Sequence, residues 1–206
     1  MGMCFGRRKN SRNNMDNMNQ LKQNSGPIIF LVGAPNIGKR ELGRRLSSKY
    51  GFIMISTGDL LKQEIQNGSE RGQKFADMTK EGQSVSANDV VPMLEEQLMN
   101  QPNAVGFLIV GFPHDKAQAT LFNKEVKRPS LVLHLQVKKD DLSERAKNAM
   151  AKDDKNSERL SKEINSYMST ISSTIRPNKK VTKEIDVQNR NKDEIFKAAL
   201  EEIDKL

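Results

Sequence analysis

Pro27-Ile-Ile-Phe-Leu-Val-Gly33-Ala-Pro-Asn36-Ile37-Gly38-Lys39-Arg40-Glu41 joins an apolar run to the pattern G-x-x-x-x-G-K and then to a helix-forming stretch. That is how a phosphate-binding P-loop is written. Gly33 and Gly38 let the backbone N–H groups between them, including those of Asn36 and Ile37, turn inward around phosphate oxygens. The helix behind adds the positive end of its dipole. Lys39 is placed to reach the outer phosphates. The pattern next asks for a small residue or a hydroxyl, and the chain supplies Arg40 and Glu41. A carboxylate beside a triphosphate repels it unless a cation intervenes. The cradle is kept and part of its lining is altered.

The chain of 206 residues fits one domain plus a tail, long enough for a full core. Its one cysteine excludes a disulfide framework or a four-cysteine zinc site within a monomer and suits a reducing compartment. No apolar run approaches the roughly 18 residues of a membrane span, and no secretory h-region is visible. The expectation is a cytoplasmic protein.

The net charge of +8 divides unevenly, because residues 1–26 hold five cations against Asp16, a balance of +4, and the rest of the chain holds the other +4. The second share is ordinary for a domain that binds anionic nucleotides. The tail is rich in asparagine and poor in β-branched and aromatic residues, so it is expected to be disordered. Its start, Met1-Gly2-Met-Cys4-Phe-Gly-Arg-Arg-Lys9, raises membrane attachment through myristoylation of Gly2 and palmitoylation of Cys4, with Arg7–Lys9 as a polybasic assist. The myristoylation pattern asks for Ser or Thr where Gly6 stands, and a solvated basic tail is the alternative. Nucleic acid is not expected as a partner, since no aromatic residues interleave with these charges.

Short apolar runs alternate with longer helical patterns. Strands are expected at Ile28–Gly33, Phe52–Ser56, Gly106–Gly111, Ser130–Val137 and Val181–Val187. Helices are expected at Arg40–Tyr50, Leu60–Asn67, Gly72–Glu81, Asn88–Asn100, Lys116–Val126, Lys139–Ile175 (with an interruption near Lys152–Asn156) and Asp193–Leu206, with Gly68 and Gly82 as stops. Buried strands separated by helices imply an α/β fold, a parallel sheet with helices on both faces.

Beyond the P-loop come Ile55-Ser-Thr-Gly-Asp-Leu-Leu61, Arg71-Gly72, Gly82-Gln-Ser-Val85 and Gly106-Phe-Leu-Ile-Val-Gly-Phe-Pro113. In this order and spacing the chain, over about residues 27–206, resembles the adenylate kinases, which move a phosphoryl group from ATP to AMP. The resemblance implies a three-layer nucleoside-monophosphate-kinase fold with a five-stranded parallel sheet. It also implies a monophosphate-binding segment at 57–86 and a short lid at about 138–160. Kinases with such short lids are generally monomeric, and magnesium would come with ATP, held through phosphates and waters more than by protein groups.

Matched residue by residue, Thr57, Val85 and Gln118 fall where the family contacts the AMP base. Lys62 replaces an arginine that grips the AMP phosphate, keeping charge but losing the bidentate fork. The reaction centre departs further. Gly-Tyr/Phe-Pro-Arg becomes Gly111-Phe-Pro-His114, exchanging a permanent guanidinium for an imidazole mostly neutral at pH 7. The family's magnesium-ordering aspartate is Val110. The lid region offers Arg145, Lys152, Lys155 and Arg159, and an arginine expected in the next helix aligns near Glu163. Each change has a plainer reading: Glu41 suits a helix's first turn and could pair with Arg45, Val110 could add core, and His114 could cap a helix or be a surface residue.

The expectation is an adenylate-kinase-like protein that binds AMP or a related adenine nucleotide, with weak or absent phosphotransfer. In it Lys39, Lys62 and Arg145 are the candidates for contacting phosphates. An active adenylate kinase and a scaffold that binds no nucleotide are the alternatives.

Overall fold

The computed structural model describes residues 26–81, 83–137, 141–142 and 154–206, the side chains of 154–159 excepted. Gly2, Cys4, Gly82, Arg145, Lys152 and most of the 138–160 lid lie outside those residues, as do the side chains of Lys155 and Arg159. In chain order the elements are β1 (Ile28–Gly33), α1 (Lys39–Tyr50), β2 (Ile53–Ser56), α2 (Thr57–Gln66), α3 (Glu70–Lys80) and α4 (Ala87–Met99). There follow β3 (Phe107–Val110), α5 (Lys116–Glu125), β4 (Leu131–Gln136), α6 (Asp154–Ile175), a 3-10 segment (Arg176–Val181), β5 (Thr182–Asp186) and α7 (Lys192–Ile203).

The five strands form one parallel sheet in the order β2-β3-β1-β4-β5. The expected fold class is therefore the observed one. β1 sits in the middle, and the two-residue period of a strand divides its side chains between two cores. Ile29 and Leu31 join Leu42, Leu46, Ile164 and Ile203 on the face covered by α1, α6 and α7. Ile28, Phe30 and Val32 join Phe75, Leu94 and Phe122 on the face covered by α3, α4 and α5. Phe30 stands edge-on to Phe112 and Phe122, each with ring centres 5.2 Å away. No helix among the described residues is long and apolar enough to cross a membrane.

Local chemistry sets the helix starts. Ser56 accepts from the Asp59 N–H, so α2 begins at Thr57, three residues ahead of the expected Leu60. Ser69 caps α3 and Asp115 caps α5 in the same way, and Asn191 with Glu194 forms a capping box on α7. α1, like α4, has no side-chain cap, and Gly38 precedes it at φ +90°. That left-handed backbone belongs to glycine, and the first N–H groups of α1 are left to a ligand.

Candidate functional site

The strands' carboxyl ends open into a cavity of about 280 Å3. Ligands in α/β sheets bind outside this edge. One wall comes from Gly33, Pro35 and Lys39, a second from Thr57, Gly58 and Val85, and a third from Gly111, His114 and Gln118. The wall facing them is α6, which contributes Glu163, Tyr167, Thr170 and Thr174.

Lys39 folds back over its own loop, where Nζ donates to the carbonyls of Gly33 at 2.8 Å and Ala34 at 2.5 Å. Crowding by the cavity walls pushes its pKa down to about 8, an effect that the charge of Glu163 partly offsets. His114 is open to the cleft yet ringed by cleft walls, so burial and then the Lys39 charge push its pKa below the ordinary imidazole value, against Asp115 and Glu163. At neutral pH its ring is uncharged.

Thr57 is buried and its hydroxyl lies 2.8 Å from the Gly111 carbonyl and 3.2 Å from that of Val110, tying α2 to the end of β3. Gln118 is also buried. Its Oε1 accepts from the His114 N–H at 2.8 Å, while Nε2 donates to the Val85 carbonyl at 2.9 Å and lies 3.2 Å from Ser84 Oγ. The three residues matched to base recognition thus line one cavity, and Gln118 bonds directly to Val85.

Other expected positions lie elsewhere. Asn36, Ile37, Gly38, Arg40, Glu41 and Lys62 are not among the cavity-lining residues, and Lys62 is exposed on α2. Arg40 pairs with Asp59, joining the start of α1 to α2. Glu41 does not pair with Arg45. Its carboxylate takes Lys192 at 2.7 Å, while Arg45 takes Asp193 at 2.7 Å and lies 4.2 Å above the Phe196 ring. The intervening cation that Glu41 called for is a lysine of α7. Val110 is core: it is 5 % exposed, and a Cβ on Gly43 would come within 2.9 Å of its Cγ2. His114 does not cap α5, since Asp115 fills that role. Sequence reasoning missed Tyr167, Thr170 and Thr174. With Glu163 they fall at steps of four, three and four, one stripe of a helix, and that spacing was the available signal.

The sheet and this cleft define a P-loop α/β protein. The family model for adenylate kinase matches residues 31–183, and the chain belongs to the adenylate kinase family. It is 30% identical over 185 residues to adenylate kinase isoenzyme 1 of Gallus gallus, covering 87% of this chain and 95% of that protein. The isoenzyme of Homo sapiens is 33% identical over 144 residues, covering 68% and 74% respectively. That of Caenorhabditis elegans is 27% identical over 195 residues, covering 92% and 93%.

Proposed function

We propose that this chain binds adenine nucleotides in the cleft and transfers phosphate weakly or not at all. The observation that carries the reading is the charge around Lys39. Phosphoryl transfer needs several cations around the moving group. Among the described residues lining the cavity, Lys39 is the one lysine or arginine, His114 is mostly neutral, and Glu163 adds a negative charge on the facing wall. A guanidinium directed at the transferring phosphate is worth roughly 10³–10⁵ in rate in related chemistry. Residues 57–86 would close over the monophosphate and about 138–160 over the triphosphate, with Arg145 the lid's best candidate for a phosphate contact. Gly33, Lys39 and Gly111 would lie along the phosphates, and Thr57, Val85 and Gln118 beside the base. Magnesium would arrive on ATP, held through its phosphates and waters more than by protein groups.

The test is ADP formation from ATP plus AMP with magnesium, comparing the wild type with Lys39→Ala, alongside a thermal shift with AMP. Stabilisation by millimolar AMP with no turnover supports the reading. Turnover at ordinary kinase rates that Lys39→Ala abolishes means an active enzyme. No response to any nucleotide means a scaffold. The double change His114→Arg with Glu163→Arg should raise ADP formation at least about tenfold; if it gives no gain, this account of the site fails.

A further inference from the structure

Parallel strands all begin at one edge of a sheet, and here that edge is opposite the cleft. Ahead of β4 and β5 the two entering loops lie side by side: Val132 pairs with Thr182 in the ladder, and Asn123 donates to Asn178 Oδ1 at 2.8 Å. Residues 123–130 and 175–183 carry seven cations against one acid, Glu125, a balance of +6, whereas residues 27–206 as a whole carry +4. Lys124 is paired with Glu125 at 2.7 Å and Lys183 with Glu202 at 3.9 Å. Arg128, Arg176, Lys179 and Lys180 are exposed and form no ion pair with a described carboxylate.

The same edge presents apolar side chains. Val105, 65% exposed, and Leu206, 58% exposed, are the exposed large hydrophobic residues among those described. Val105 stands two residues ahead of β3. Leu206 follows Asp204, whose carboxylate accepts from Tyr50 just ahead of β2. The start of β1 lies at this edge too, since Phe107 N–H donates to the Pro27 carbonyl at 2.9 Å and Ser130 N–H to that of Ile28 at 2.8 Å.

Unpaired cations and exposed apolar groups on one edge suit an anionic leaflet more than a nucleic acid. The aromatic pair at this edge, Tyr50 and Phe52, is stacked on itself at 5.2 Å and is not presented to bases. Of the acids there, Glu202 and Asp204 are already bonded, to Lys205 and Tyr50. We propose that this edge of the sheet is a docking surface for an anionic lipid bilayer, with the cleft turned away from the membrane. The surface works whether or not Gly2 and Cys4 are acylated.

The test uses the full chain, without acylation, and vesicles of phosphatidylcholine with or without phosphatidylserine. The wild type should sediment with the phosphatidylserine vesicles and be released by salt. Each cation near such a leaflet contributes about fivefold, so Arg128→Glu/Lys179→Glu/Lys180→Glu should weaken binding more than tenfold at an unchanged melting temperature. Lys197→Glu, exposed on α7, should weaken it far less. The chain has no tryptophan, so Val105→Trp adds a single reporter whose emission should shift to the blue on anionic vesicles. Equal binding to neutral vesicles, binding untouched by the triple reversal, no blue shift, or capture of an RNA oligonucleotide in preference to vesicles would each overturn the proposal.

Discussion

Lys39 and Glu163 face the same small cavity with opposite charges, and the carboxylate partly offsets the burial that lowers the lysine's pKa. Replacing Glu163 by Gln removes an anion that competes with phosphate for the ammonium. ATP affinity should rise about three- to tenfold at low salt, measured by calorimetry, and the gain should shrink as salt is added. The lysine's depressed pKa gives two effects of opposite sign. Between about 8, its value in the fold, and its ordinary 10.5, the unfolded chain holds the extra proton, so this group's contribution to stability rises with pH. Phosphate affinity falls over the same window, because a neutral amine no longer attracts the anion. Lys39→Met should remove both trends, read by denaturation and by titration with nucleotide on either side of pH 8. Lys39 was legible in the sequence because the P-loop pattern fixes it relative to two glycines. Glu163 was legible only as a rough alignment, since a polar stripe on a helix usually means water. The partner of Glu41 was not legible at all: Lys192 lies 151 residues away, and the neighbour at four residues, Arg45, is drawn off to Asp193.

α1 packs against the sheet through a glycine and against α7 through charges and a ring. A methyl on Gly43 would meet Val110 at 2.9 Å and the Met54 sulfur at 3.1 Å, so Gly43→Ala should cost about 1–3 kcal/mol in urea unfolding. Val110→Asp, which restores the family's carboxylate, would place that charge in the same crowded contact and should cost about 3–5 kcal/mol. Arg45→Ala should cost about 1 kcal/mol, more from lost contact with Phe196 than from its exposed ion pair. The elements themselves could be read in advance because apolar runs and capping residues are local signals. Ser56 moved the start of α2 by three residues, as caps decide boundaries that periodicity leaves open. The 3-10 segment Arg176–Val181 escaped notice because its lysines and proline carry no helical period.

At the scale of the molecule, β1 separates two cores, and the four strands β1 to β4 are apolar enough to have announced a buried parallel sheet. β5 is the exception: Thr182–Asp186 holds one apolar residue, Ile185, as suits a strand at the sheet's edge. The cleft's fourth wall could not be read, because it depends on where a long helix lies after its chain has crossed the sheet. The α1–α7 contact has a consequence for the order in which the protein is made. Arg45 leaves the ribosome 148 residues before Asp193, so the helix behind the phosphate loop emerges early and waits for most of the chain before its outer face is covered. A nascent chain halted before residue 192 would carry the whole P-loop and both flanking strands without that support. It would leave open the apolar cluster that Ala199 and Ile203 complete, the kind of surface that holding chaperones recognise.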